Sequence, residues 1–417
     1  MTSGSSTRSQ HLERRDAALD LEAVAPFVAR HVAPPAGTEA VPLLAAAGRV
    51  LAGDVVAPMD LPPFDQSAVD GYGLPAHLLA SIGRGLPVAG MARAGDPCPT
   101  AMEGVVRLLT GAPVPAAVAA VAMQEHVDRA DGTIRIGDPV RHGANIRRRG
   151  EDVARGDVVL TAGTTLDARH VALLAALGLG TVDVRRTMRA AILACGDELA
   201  AAGAPRGPTA IHDANSPMAA AFLARRGVEV VAMERIPDRL DAARDALARH
   251  AGRVDLVVTS GGMSSGDTDH TRGAVEACGG RWVSMGILMK PGKPSSFALI
   301  DGTVVVGLPG NPFAALVAMV VVGLPVLAAL DGSDRAARPL PAVAAFDLER
   351  RPGRAEFFPA RRVGGASGVL AVDRLGKGGS ARLRPVVDAD GLGLIDAKAA
   401  GISRGDPVGF LPFETLL

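Results

Sequence analysis

The chain has 417 residues, 48% of them hydrophobic, and its Lys+Arg 44 against Asp+Glu 44 leave a formal net charge of zero. That length buries several cores and predicts three or four domains, while the charge balance excludes a global pull towards nucleic acid or an anionic membrane. Aromatics at 3% are too sparse for the stacking platforms of single-strand binders, and Cys98, Cys195 and Cys278, far apart and without a C-x-x-C pair, point to a reducing cytosol rather than structural zinc or disulfides.

Residues 1–10 are polar and Ser-rich, the pattern of a disordered tail and not of a signal peptide. Over 15–31, Leu19, Ala23, Val24 and Phe27 make a helical stripe that Pro26 should bend or end early. A short helix and strand follow over 41–59. The stretch 61–72, LPPFDQSAVDGY, is an extended rigid loop because its prolines forbid a regular element. It holds Asp65, Ser67 and Asp70, either as local turn caps or as a functional cluster. Short strands over 105–110, 118–125 and 132–136 predict a β-rich domain. Thr110 opens the rigid segment TGAPVP. Residues 147–152, RRRGED, set cations beside acids, as a solvated turn or as a frame for an anion and a metal.

A short amphipathic helix spans 167–177. From about 185 to 330, apolar strands alternate with helices, which predicts a doubly wound parallel sheet. The strand at 190–194 runs into Cys195-Gly196-Asp197-Glu198, acids at a strand's carboxyl end. Ser216 should cap one helix, with Pro217 at its first position and Gly227 beyond its end. Asp238 should cap the next, with Leu240, Ala243 and Leu247 inward and Arg249 and His250 at its negative end.

Residues 254–271, VDLVVTSGGMSSGDTDHT, bring a buried strand, the turn Gly261-Gly262, the hydroxyls of Ser260, Ser264 and Ser265, and the carboxylates of Asp267 and Asp269. Open α/β sheets bind ligands at such carboxyl-end turns. Two acids favour a phosphate-and-metal site over an ordinary turn, because carboxylate oxygens suit Mg²⁺. Lys290 and Lys293 in MKPGKP sit on a stiff turn suited to clamping an oxyanion. GLPGNP, with Pro309, Gly310, Asn311 and Pro312, opens a long helix whose free N–H groups should face the crevice. The apolar run 313–330 raises the membrane question; Gly323 and Pro325 interrupt it, so a core or subunit-interface helix is expected. From about 331, Gly- and Pro-rich strands predict a small separate β domain.

In this order LPPFDQSAVDGY, TGAPVP, NIRRRGED, CGDEL, TSGGMSSGDTD, KPGKP and GLPGNP resemble the motifs of molybdopterin molybdenumtransferase, the MoeA and gephyrin E-domain family, over about 21–413. The resemblance implies a multidomain α/β fold: a doubly wound α/β pterin-binding domain plus β-rich domains and a C-terminal β-barrel-like domain. The expected division is a tail at 1–10, an elongated N-terminal domain of 11–58 with 142–184, and a β-rich domain at 59–141. The α/β molybdopterin-binding domain then takes 185–331 and the C-terminal β domain 338–417.

The implied activity is insertion of molybdate into adenylylated molybdopterin, with release of AMP and aid from Mg²⁺. Asp65, Thr110, Asp152, Glu198 and Asp269 fall on the family's catalytic positions, and Asp65, Glu198, Asp267 and Asp269 on its metal positions. Ser260, Gly261, Gly262, Ser264 and the segment Pro309, Gly310, Asn311, Pro312 match substrate-binding positions. Lys290, Lys293, Arg354 and Ser380 match those that bind molybdate. A cytoplasmic homodimer is implied, with other molybdenum cofactor biosynthesis proteins as partners and with neither nucleic acid nor membrane.

Departures bear on oxyanion affinity: Ala314 lacks the usual hydroxyl, His212 replaces Tyr, GGSARL has one Ser, and Cys195 replaces Thr. Two alternatives share the motifs in part. A molybdopterin adenylyltransferase has the TSGGxSxGxxD loop but neither LPPFDQSAVDGY nor the C-terminal domain. A non-catalytic scaffold would explain Ala314 but not the retained acids. Three structural expectations follow: Asp65, Glu198 and Asp269 converge on one cleft, the apolar helix is buried in a dimer, and the C-terminal domain closes to bring Arg354 to the lysines.

Overall fold

The computed structural model describes residues 18–34, 37–99, 104–262, 270–333, 337–364 and 368–417; the expected N-terminal tail lies outside them. The chain divides into two compact units, one of Met1–Glu39, Gly48–Val50 and Val184–Leu417, the other of Ala40–Ala47 and Leu51–Asp183.

In the first unit, six strands form one sheet: β1 Arg189–Cys195, β2 Glu229–Ile236, β3 Leu256–Ser260, β4 Arg281–Met285, β5 Ser296–Ile300 and β6 Thr303–Leu308. Their order is β2-β1-β3-β6-β5-β4. The first four in that order run parallel, but β5 is antiparallel to β6 and β4 to β5. The sheet is therefore mixed, not parallel throughout. Only Asp301-Gly302 separates β5 from β6, with φ of 45° and 78°, the two positive values of a tight hairpin turn that leaves no chain for a crossover helix.

Strand side chains alternate between two cores. Ala190, Ile192, Val258, Val304 and Val306 pack on one face with Phe222, Leu223, Leu316 and Leu327. Ala191, Leu193, Val257 and Val305 pack on the other with Ala243, Leu247 and Val275. Helices α1 Asn215–Ala224 and α4 Pro312–Asp331, with the N-terminal helix Val24–His31, cover the first face; α2 Leu240–His250 and α3 His270–Ala277 cover the second. Helices on both faces make the sheet doubly wound.

Local details differ from expectation where a proline or cap was misplaced. Pro26 lies in the first turn of Val24–His31, where its missing N–H has no intrahelical partner to lose, so the helix continues. Asp213, not Ser216, caps α1: its Oδ1 accepts the amides of Asn215 and Ser216 at 3.0 Å each. No side-chain cap from Asp238 serves α2, and its Leu240 is exposed. Arg249 and His250 both turn to Glu234 on β2.

Helix α4 absorbs Gly323 and Pro325 through a widened π turn at Met319–Gly323. It is long and apolar enough to cross a membrane by length and composition, yet 83% of its most apolar window is buried within the chain. It is a core helix, and no second subunit is needed to cover it.

Strands β7 Leu340–Ala344, β8 Ala355–Val363, β9 Ala371–Arg374, β10 Gly391–Ile395 and β11 Pro407–Pro412 close into a five-stranded barrel in the order β8-β9-β7-β11-β10 and back to β8. Phe346, Phe358 and Phe410 fill it. Met289-Lys290 adds a short parallel pairing to Ala355-Glu356 at the start of β8.

The second unit holds a six-stranded sheet ordered Val118–Met123, Gly71–Pro75, Val105–Leu108, Leu86–Ala92, Thr133–Ile136, Val127–Ala130. Its strands match the β-rich pattern expected there.

Candidate active site

A cavity of about 880 Å³ opens between the loops after β4 and β6 and the barrel. Lys290, Lys293, Arg350, Arg351, Arg354, Arg374, Lys377 and Arg382 line it against two acids, Glu349 and Glu356. A chain of zero net charge thus concentrates positive charge at one place. Ser380, Pro309, Asn311 and Ala314 complete the wall.

Glu356, 4% exposed, lies among the cations. Its Oε1 accepts from Lys290 Nζ at 3.4 Å and Arg374 Nη2 at 3.2 Å, and its Oε2 is 3.5 Å from Arg350 Nε. A carboxylate buried this deeply needs such paired charge. Arg350 donates to the carbonyls of Asp396 at 2.9 Å, Ala399 at 2.5 Å and Arg354, which fixes the backbone under Arg354. The Lys293 ammonium has no partner among the described residues.

Two expectations change here. The amides of Phe313 and Ala314, expected to be free, donate to the Ser380 carbonyl at 3.0 and 3.3 Å, and Asn311 Nδ2 donates to Ser380 Oγ at 2.9 Å. The start of α4 is satisfied by a barrel loop, because orphan amides at a helix N-terminus take any well-placed oxygen. Nor must the barrel close: Arg354 already shares the cavity wall with both lysines.

At the carboxyl ends of β1 and β3, Gly261 has φ of +83°, and a Cβ there would lie 2.3 Å from the Cys195 carbonyl oxygen. Only glycine lets these two strand ends approach so closely. Asn215 of α1, buried, donates to Ser260 Oγ at 2.8 Å and to the Gly310 carbonyl at 2.7 Å. It ties the loops after β3 and β6 into one floor. Burial pushes the Cys195 thiol up to about 11, against a weak contact from Thr271 Oγ1 at 3.7 Å, so it stays protonated and is no nucleophile at neutral pH. Glu198 lies in the loop after β1 with its carboxylate over Gly196, whose added Cβ would lie 2.6 Å from Oε2. Ser264, Asp267 and Asp269 lie outside the described residues.

The second unit gathers its own cluster. Ser67 exchanges backbone hydrogen bonds with Gly111 and Ala112, Val114 donates to the Asp65 carbonyl, and Ile146-Arg147 pairs with Gln66-Ser67. Thus FDQS, TGAP and RRRGED meet, with the Asp152 amide on the Leu61 carbonyl at 3.1 Å. Burial works against ionisation of Asp65, but the Arg149 amide at 2.8 Å and the Arg148 guanidinium at 2.6 Å prevail and hold its carboxyl below the usual range. Thr110 donates both N–H and hydroxyl to Asp70 at 2.7 Å.

No group of three or more His, Cys, Asp or Glu is placed to hold a metal among the described residues. Glu198 has no side-chain partner there and offers hard oxygens that fit Mg²⁺, whereas Asp65 would first leave Arg148. Sequence reasoning missed Glu356, Arg350, Arg374 and Asn215. One signal was available: Glu356 is an acid inside the apolar strand AEFFPA, where a buried charge demands partners.

Residues 16–178 match the MoeA N-terminal region (domain I and II), 191–329 the probable molybdopterin binding domain, and 341–413 the MoeA C-terminal region (domain IV). Over 392 residues the chain is 34% identical to the molybdopterin molybdenumtransferase of Haemophilus influenzae, covering 92% of this chain and 96% of the relative. It is 38% identical over 292 residues to molybdopterin molybdenumtransferase 2 of Mycobacterium tuberculosis, covering 67% and 72%. The crystal structure of the MoeA protein of Pyrococcus horikoshii OT3 matches with a TM-score of 0.80 at 27% identity, over 95% of this chain and 100% of that one. With each region matched and full-length relatives on both counts, the chain belongs to the MoeA family of molybdopterin molybdenumtransferases.

Proposed function

We propose that this transferase of molybdenum cofactor biosynthesis inserts molybdate into adenylylated molybdopterin and releases AMP in a Mg²⁺-dependent step. The observation that supports this most is the cationic cavity, since a tetrahedral dianion needs fixed cations and hydroxyls. In this reading Lys290, Lys293, Arg354 and Ser380 hold molybdate. Ser260, Gly261, Gly262, Ser264 and the Pro309, Gly310, Asn311, Pro312 segment hold the pterin nucleotide. Asp65, Thr110, Asp152, Glu198 and Asp269 act at the reacting phosphate. Mg²⁺ on Asp65, Glu198, Asp267 and Asp269 would offset charge that develops as the phosphoanhydride breaks.

A cytosolic homodimer, served by other molybdenum cofactor biosynthesis proteins, completes the reading; it rests on the family resemblance, because α4 is already covered within one chain. The proposed division keeps 11–58 with 142–184, 59–141, 185–331 and 338–417; the family matches, whose limits fall between 178 and 191 and between 329 and 341, support its last two boundaries, while the segment up to Glu39 clusters with the first unit.

The test is AMP release from adenylylated molybdopterin by the purified full chain, with and without molybdate. Molybdate-stimulated release is expected. Adenylylation of free molybdopterin from ATP instead, or tight pterin binding without turnover, would refute it.

A further inference from the structure

The cavity wall poses a physical difficulty: eight basic side chains repel one another, and long side chains scatter unless something holds them. Glu356 stands where three of them converge, with Lys290 Nζ at 3.4 Å, Arg374 Nη2 at 3.2 Å and Arg350 Nε at 3.5 Å from its carboxylate. Lys290 and Glu356 are also register partners in the pairing of Met289-Lys290 with β8, so the backbone itself sets their meeting. The Arg350 side chain is only 6% exposed, and its far end holds the Arg354 carbonyl. We propose that Glu356 is the positioning residue of the oxyanion site, keeping Lys290 and Arg374 on the cavity wall and, through Arg350, the backbone that bears Arg354. The proposal rests on the reading of this cavity as the molybdate site.

A group that only balanced charge would act in the opposite direction. Its removal would make the cavity more positive and tighten every anion. Removal of a positioning group leaves the cations to repel one another. Gln in its place would turn its N–H donors either towards Arg350 Nε, which faces Oε2, or towards Lys290 and Arg374, which share Oε1, so at least one of these three cations must swing away. The sign of the change in affinity therefore separates the two roles.

Full-length wild type and Glu356→Gln are titrated calorimetrically with molybdate and with sulfate at one ionic strength, and molybdate-dependent AMP release is followed in parallel. The expected result is a molybdate Kd raised about threefold or more, a narrowed preference for molybdate over sulfate, and a kcat at saturating molybdate reduced by less than about threefold. In a Lys290→Met background the same substitution should cost less than it does alone, as coupled residues do. Unchanged or tighter molybdate binding by folded Glu356→Gln overturns the proposal. If that variant does not fold, Glu356→Asp decides, since it keeps the charge and shortens the reach: a raised molybdate Kd supports positioning and an unchanged one overturns it. Failure of both variants to fold also overturns it, by assigning Glu356 to barrel stability. A wild type that binds no molybdate refutes the reading of the cavity itself, a separate outcome.

Discussion

Lys290 and Lys293 carry the same charge into the same cavity, yet the structure predicts unequal losses when each is replaced by Met. A hydrogen bond to a charged group contributes about 1.5–3 kcal/mol, and about 1.4 kcal/mol is tenfold in affinity. The Lys293 ammonium has no partner among the described residues, so its full interaction is open to an oxyanion and Lys293→Met should raise the molybdate Kd about tenfold to a hundredfold. The Lys290 side chain is 57% exposed and stands 3.4 Å from Glu356 Oε1. Part of its charge is engaged before ligand arrives, and Lys290→Met should raise Kd about threefold to tenfold. Both variants remove one unit of long-range attraction, so their difference reports local engagement alone. The assay is calorimetric titration of molybdate at an ionic strength of about 0.15 M, where screening sets in beyond about 8 Å. Equal losses, or a larger loss for Lys290→Met, would refute the reasoning.

Gly261→Ala forces a side chain at φ of +83° against the Cys195 carbonyl oxygen 2.3 Å away; it should cost about 2–3 kcal/mol and lower Tm by several degrees, and an unchanged Tm would show that the strand ends can part freely. Ala314→Ser adds a neutral hydroxyl to a cavity-lining position, worth about 1 kcal/mol, so molybdate half-saturation in the AMP assay should fall, but by less than about tenfold; no change would mean that Ser380 already supplies the contact. Asp65 ionises below the usual range in the folded chain, so its pairing contributes stability above about pH 4, the unfolded value, and loses it as pH falls through the lower folded value. The Tm gap between wild type and Asp65→Asn should hold steady from about pH 7 to 5 and shrink below about pH 4; a constant gap to lower pH would contradict the pairing. In thiol titration at about pH 8, exposed Cys98 should react at once and Cys195, pushed up to about 11, only after unfolding; early reaction of Cys195 would show that the β1 end is open.

What the sequence by itself determined was local. The apolar strands β1, β3 and β6, the Gly261-Gly262 turn, the Asn311-Pro312 start of α4 and the β-rich pattern of 105–136 each follow from a few neighbouring residues and their allowed backbone angles. Even Asp301-Gly302 is a local hairpin signal, masked by the strand–helix alternation of the residues around it. What only the tertiary structure decided was which distant groups answer one another. The Ser380 carbonyl satisfies the amides of buried Phe313 and Ala314 at the start of α4, and buried Glu356 meets Lys290 from 66 residues away. Asn215 reaches Gly310 across 95. In each case a buried donor or charge had to find a partner, and sequence states that demand without saying where the partner lies. The same holds for α4: its apolarity announced burial, but whether another subunit or the chain's own sheet would cover it depended on packing.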